Sequence, residues 1–282
     1  MTMNLVLQGP GATPERLNRI AALTSAAMIV GVGDHAVRCV DVPFSQDLKQ
    51  AIEAVADADH LDATFIEAGR TLADFRLVAM DMDSTLITIE CIDEIADMQG
   101  LKAQVSEITE AAMRGELDFA ESLTRRVALL EGLDASALER VYSERLSISM
   151  GGETMLAGIK AAGLKTLLVS GGFTFFTDRL KERLGLDYTH ANVLEIVDGK
   201  LTGRVVGGIV DAEEKKRTVE RVCAELGITT QQTIVMGDGA NDLKMMGIAG
   251  LSVAFRAKHV VRAQASVALN FAGLDGLLSI LA

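Results

Sequence analysis

Short apolar runs alternate with segments of helical period along most of this chain. Asn4-Leu5-Val6-Leu7 reads as a strand, and Thr13-Pro14 caps and opens a helix running to about Leu23. Two β-rich runs, Ala27 to Val32 and Ala36 to Val42, flank Gly33-Asp34-His35, a hairpin signal. Ser45 caps a helix through about Ala58, and Ala63-Thr64-Phe65-Ile66 is a short closing strand. The order strand-helix-strand-strand-helix-strand predicts a small α+β unit over residues 1–73.

A second unit, residues 74–282, begins with the apolar run Phe75 to Met80. From Ile87 to about Ser147 the pattern turns helical, rich in Glu, Arg, Ala, Leu and Met, with no strand candidate. Asp118 and Asp134 are candidate helix caps there. A helical block at about 87–148, directly after the first strand of an α/β unit, reads as a lid over that strand's end. From Gly151 strands and helices alternate. Helices are predicted over Glu153–Ala162, Phe173–Leu184 and Glu213–Leu226. Strands are predicted over Lys165–Ser170, Thr233–Met236 and Leu251–Phe255, with a hairpin over Ala191–Val206 turning at Asp198-Gly199. Further helices are expected over Ala257–Ala265 and Leu274–Leu281. This alternation predicts a doubly wound, Rossmann-like parallel sheet.

Asp81-Met82-Asp83-Ser84-Thr85 follows the first strand of this unit, where open parallel sheets bind ligands. Two carboxylates one residue apart can converge on one cation or phosphate if the pleat persists. A calcium loop also begins Asp-x-Asp, but needs Gly at its sixth position and Glu at its twelfth; Leu86 and Ile92 stand there.

Composition narrows the class. Of 282 residues, 49% are hydrophobic and 23% charged, as in a soluble, well-cored protein. A net charge of −12 argues against nucleic-acid binding and leaves any phosphate site dependent on local cations. Cys39, Cys91 and Cys223 are widely spaced with no Cys-x-x-Cys pair, which disfavours a disulfide framework or zinc site and suits a reducing cytoplasm. No signal peptide is evident, and the longest nearly uncharged stretch, Ile20 to Gly33, is shorter than the roughly 18 residues of a membrane span. A cytoplasmic protein without membrane partners is expected, and a homodimer remains open.

Four polar clusters lie where strands end or helices begin: Asp81/Asp83/Thr85, Ser170-Gly171-Gly172, Lys215, and Gly237-Asp238-Gly239-Ala240-Asn241-Asp242. Together they supply a carboxylate nucleophile, metal-holding acids, a hydroxyl with helix-start N–H groups, and a lysine, the inventory of phosphoryl transfer.

Their order resembles that of the haloacid dehalogenase-like (HAD) superfamily, whose four motifs match Asp81–Thr85, Ser170, Lys215 and Gly237–Asp242. Within it, Asp83-Ser84-Thr85-Leu86, Asp93-Glu94-Ile95-Ala96, Val169–Phe173, Leu184–Asp187 and Gly199–Gly203 look like the phosphoserine phosphatases. The resemblance covers about residues 75–270, and Met82 replaces a common Phe. It implies a HAD core with an inserted helical cap. Asp81 would be the nucleophile and Asp83 the general acid/base. Mg²⁺ would be held by Asp81, the Asp83 carbonyl and Asp238. Ser170, Gly171, Lys215 and Asn241 would bind the phosphoryl group, with Thr85 and Asp242 in support. In the cap, Glu90 would meet a substrate ammonium and Arg126 its carboxylate, with Met113 and Phe119 closing an apolar wall. Such an enzyme performs the last step of serine biosynthesis. Separately, the topology of residues 1–73 is similar to ferredoxin-like ACT regulatory modules, without a specific motif.

Other protein classes share parts of this inventory. A phosphorylated signalling receiver shares the acids, hydroxyl and lysine but has no need of a helical insertion or a second acid-base Asp. A phosphatase or phosphotransferase for another small metabolite would differ at Glu90 and Arg126. An ion-pumping ATPase would need membrane spans.

Overall fold

A computed structural model describes residues 2–33 and 35–282; of the Thr2 and Met113 side chains nothing is described, and Asp34 of the expected hairpin turn lies outside the described residues. The amino-terminal unit holds β1 (Thr2–Gln8), α1 (Pro14–Ala21), β2 (Met28–Gly33), β3 (Ala36–Pro43), α2 (Gln46–Ala58) and β4 (Asp62–Glu67). Thr13 and Ser45 cap the two helices by accepting from Arg16 N and Leu48 N. The four strands pair antiparallel in the order β2-β3-β1-β4, the ferredoxin-like arrangement. Alternate residues Leu5 and Leu7 of β1 point down onto Leu17, Ile20 and Ile52 of the helices, closing one core.

The larger unit begins with β5 (Leu77–Met80), buried at all four positions as a central parallel strand must be. Four helices follow: α3 (Cys91–Asp97), α4 (Lys102–Met113), α5 (Phe119–Ala128) and α6 (Ser136–Glu144). Asp118 caps α5 by accepting from Glu121 N at 2.8 Å, and Asp134 accepts from Ser136 N at 2.9 Å before α6. Next come α7 (Gly152–Ala161), β6 (Lys165–Phe173), α8 (Thr174–Leu184), β7 (Tyr188–Val197), β8 (Lys200–Val206) and α9 (Ala212–Leu226). The chain ends with β9 (Thr233–Gly237), α10 (Leu243–Met246), β10 (Leu251–Phe255), α11 (His259–Arg262), β11 (Val267–Leu269) and α12 (Gly276–Ile280). Seven strands form one sheet in the order β11-β10-β9-β5-β6-β7-β8, parallel except for the β7–β8 hairpin.

The far end of this sheet departs from the sequence expectation. The helix expected over Ala257–Ala265 shrinks to α11, and an unexpected strand, β11, follows it. Val267-Ala268-Leu269 is too short a run to show a period, and its register against Val253-Ala254-Phe255 is a tertiary choice. The hairpin also starts earlier, at Tyr188, because β7 pairs with both β6 and β8.

The helical insertion stands on a two-strand stem. Thr88 N donates to Ser147 O at 3.0 Å and Ser149 N to Leu86 O at 2.9 Å. Its α5–α6 end is fastened to the hairpin, where Gly132 N donates to Leu201 O and Leu201 N to Leu133 O, both at 2.8 Å. The two units meet at the carboxyl-terminal segment. Buried Asp62 of β4 accepts from the backbone N–H groups of Asn270, Phe271 and Ala272, and Arg38 donates to the carbonyls of Ser279, Ile280 and Ala282. No helix is long and apolar enough to cross a membrane among the described residues.

Candidate active site

β5 lies between β6 and β9, so residues 81–86 leave the sheet at the middle of its carboxyl edge. Asp81 N continues the ladder, donating to Met236 O at 3.0 Å. Its Oδ1 accepts from Met82 N at 2.7 Å, so the carboxylate caps the tight turn that follows. Ser84 adopts φ of +55°, a left-handed conformation uncommon for a side chain with Cβ and stored here by a chain reversal at the site.

Lys215 comes from the first turn of α9, whose start is capped by Asp211. Its ammonium is fully buried and stands 2.8 Å from both Asp81 Oδ1 and Asp242 Oδ1. The second Asp242 oxygen accepts from Gly239 N at 3.0 Å, so the lysine and its own loop engage both oxygens of this side chain. Asp238 is half-buried, and its Oδ1 accepts from the Thr85 hydroxyl at 3.0 Å. One carboxylate oxygen each from Asp81, Asp238 and Asp242 lies within 4.8 Å of the others.

Three acids around one lysine leave a net negative charge out of water. Burial, then the Asp242 charge, pushes the Asp81 carboxyl well up from its ordinary value against the pull of Lys215. The same two causes lift Asp238 to about 6. Burial opposes the Lys215 charge, but the two flanking carboxylates outweigh it and push its pKa up. Excess negative charge on hard oxygen atoms fits a divalent cation such as Mg²⁺. Asp81 and Asp238 each keep one carboxylate oxygen that accepts no hydrogen bond among the described residues, whereas both Asp242 oxygens already accept one.

Asp83 points its carboxylate away from this cluster. Its Oδ1 accepts from Cys91 N at 3.4 Å, and its Oδ2 lies over Gly172, where an added Cβ would sit 3.0 Å from it. Burial, then the charge of Glu90, raises Asp83 to about 8. Opposite stands the end of β6, where buried Ser170 Oγ accepts from Gly172 N at 2.8 Å. The Gly171 carbonyl is held by Asn192 Nδ2 at 2.8 Å, while Asn192 Oδ1 accepts from Val210 N. The Asn241 side-chain oxygen folds back against Gly239 at the opposite rim.

The insertion roofs this floor. The Phe119 ring, at the start of α5, packs on Gly171 so closely that a Cβ there would stand 2.8 Å from its Cζ. Glu90 stands immediately before α3, and its side chain, rather than capping the helix, accepts from the Ser84 hydroxyl at 2.7 Å. Burial pushes the Glu90 carboxyl up, opposed by the hydrogen bond it accepts from the Ser84 hydroxyl. Arg126, half-buried on α5, is lowered by burial against the pull of Asp93, Glu90 and Asp83. The structure therefore gathers Asp81, Asp83, Thr85, Ser170, Gly171, Lys215, Asp238 and Asp242 on the floor, with Glu90, Phe119 and Arg126 above; the Met113 side chain is outside the described residues. Sequence reasoning passed over Ser84 and Asn192. Ser84 was in the quoted motif without a role, and Asn192 is a lone amide in an apolar strand.

Comparison with known proteins agrees with this architecture. A family model described as haloacid dehalogenase-like hydrolase matches residues 75–250. A protein of Polaromonas sp. named phosphoserine phosphatase is 58% identical over 214 residues, covering 74% of this chain and 91% of that one. The solved structure of a HAD family hydrolase from Salmonella enterica superposes with a TM-score of 0.89 at 32% identity, covering 99% and 98% of the two chains. That of a probable phosphoserine phosphatase from Vibrio cholerae gives 0.85 at 38%, covering 99% and 86%. With the family model spanning more than half its length, the chain belongs to the haloacid dehalogenase-like hydrolases.

Proposed function

We propose that the protein is a Mg²⁺-dependent phosphoserine phosphatase that hydrolyses O-phospho-L-serine through a phosphoryl group carried on Asp81. The observation that carries the reading is the pairing of floor and roof. A buried carboxylate beside a lysine lies below a glutamate and an arginine that stand apart from each other. The names of the relatives supply the substrate class.

In this reading Asp81 attacks phosphorus in line, and the bond to the serine oxygen breaks as Asp83 protonates it. A carboxyl raised to about 8 holds that proton near neutral pH. Asp83 then takes a proton from the water that releases phosphate from Asp81. Lys215, Ser170 Oγ, the Gly171 N–H and Asn241 neutralise the phosphoryl oxygens. Bound Mg²⁺ would supply charge neutralisation for the phosphoryl oxygens and the acid cluster, held by Asp81, Asp238 and the Asp83 carbonyl. Glu90 takes the ammonium, Arg126 the carboxylate, and Phe119 with Met113 excludes water. Residues 74–282 form the catalytic unit in this scheme, and residues 1–73 an ACT-like regulatory or interaction unit docked through Asp62 and Arg38.

The test is phosphate release from a panel of small phosphomonoesters with and without Mg²⁺. Phosphoserine is expected to lead by orders of magnitude, with the lead lost in Arg126→Ala. A different or broad preference would keep the hydrolase and discard the substrate.

A further inference from the structure

Asp93 follows Glu90 by one turn of α3, and its Oδ1 is buried without accepting any hydrogen bond among the described residues. A carboxylate oxygen in that state carries a desolvation cost that a partner must offset in some working state of the protein. Across from it, Arg126 uses its Nε on Ser122 O at 3.4 Å, one turn back on α5. No carboxylate oxygen of the described residues lies within 4.0 Å of its guanidinium. The two residues are nonetheless each other's leading opposite charge: Asp93 heads the anions acting on Arg126, and Arg126 the cations acting on Asp93. Lys102, the other cation near Asp93, is occupied at the surface with Asp97 at 3.9 Å.

We propose that Asp93 is the positioning residue for Arg126, holding one edge of its guanidinium in the loaded site so that the other edge meets the substrate carboxylate. Guanidinium has five N–H donors in a planar fork, enough to serve two carboxylates at once. The arrangement also solves a problem of charge. Glu90 and Arg126 would cancel each other if they paired, removing the recognition of both ends of a zwitterion. Ser84 keeps Glu90 on one side at 2.7 Å, and Asp93 draws Arg126 to the other. The inference rests on the substrate being a phosphorylated amino acid.

The experiment compares O-phosphoserine with O-phosphoethanolamine, which keeps the ammonium and lacks the carboxylate. In the native protein phosphoserine is preferred. In Asp93→Asn that preference falls about tenfold through KM for phosphoserine, the size of one lost charge-assisted hydrogen bond. Asp93→Glu recovers part of it, and in an Arg126→Ala background Asp93→Asn has no further effect. Asp93→Ser carries the same expectation should the Asn variant not fold. A variant that loses both substrates alike, an unchanged preference, or full additivity with Arg126→Ala would overturn the role. If the native protein itself shows no preference, the proposed substrate fails first and the role of Asp93 falls with it.

Discussion

Lys215 Nζ stands 2.8 Å from Asp81 Oδ1 in a place without solvent. Asp242 approaches the same ammonium at the same distance from behind, so the lysine is fixed before any phosphate arrives. Lys215→Ala would remove the cation that pairs with the buried Asp81 and Asp242 carboxylates. A cut in turnover on the order of 10² or more is expected, with a stability loss of about 3–5 kcal/mol from the unpaired charges. Steady-state kinetics and urea unfolding measure the two separately. Full stability with lost turnover would mean that the acids protonate instead of repelling.

Asp81→Asn keeps the shape of that residue and removes the nucleophilicity proposed for it. Turnover should fall by about 10⁴ or more, as for loss of other covalent nucleophiles, while the fold persists. Mass spectrometry after quenching should find a phosphoryl adduct on the native protein and none on the variant. A variant that turns over near the native rate sinks the assignment.

Much of this was legible because phosphoryl-transfer motifs write their chemistry into short contiguous stretches. Asp81, Asp83, Asp238 and Asp242 could be picked out because acids after apolar strands stand out against the period of 2. The ferredoxin-like order was legible for a similar reason, each element carrying its own cap or turn signal, Thr13-Pro14 and Ser45 among them. What stayed hidden depends on distant partners. β11 is a strand only because β10 offers it a ladder. Asn192 matters only because the Gly171 carbonyl lies across the sheet from it, and Ser84 because Glu90 returns to meet its hydroxyl.

Gly172 has no room for a side chain. A Cβ there would stand 2.8 Å from Met82 Cε, 3.0 Å from Asp83 Oδ2 and 3.1 Å from Ser170 Oγ. Gly172→Ala is therefore expected to press on Asp83 and Ser170, the proposed acid-base and phosphate-binding groups, as well as on Met82. An error of about 1 Å in such a group costs on the order of 10² in rate. The loss should appear in kcat, with a melting temperature shift of a few degrees at most. Unchanged kcat would show that Met82 alone absorbs the strain.

Crowded carboxylates predict stabilisation by divalent metal. Mg²⁺ at 100 times its dissociation constant should stabilise the folded protein by about 2.7 kcal/mol. Asp238→Asn should remove most of that gain and raise the metal-free melting temperature slightly, because one of three mutually repelling acids is gone. Scanning calorimetry with and without Mg²⁺ reads both effects. Equal metal stabilisation of the two proteins would take Asp238 out of the ligand set.

Asp187 links the pH dependence of stability to the strand that carries Ser170. Burial pushes its carboxyl up, but hydrogen bonds from the Lys165 ammonium, the Thr166 N–H and the Thr166 hydroxyl outweigh that and hold its pKa below the ordinary value. A carboxylate with a lowered folded pKa binds protons more readily when unfolded. Its contribution is thus present above the ordinary value of 3.8 and lost as pH falls through the lowered one. Asp187→Asn should lower the denaturation midpoint at pH 7 and leave it less changed near pH 3, so that the native and variant curves converge on acidification. Lys165 is exposed, so part of the difference at pH 7 should also fade in high salt. Curves that stay parallel from pH 7 to pH 3 would mean that the Asp187 charge contributes nothing and only its shape holds β6 against β7.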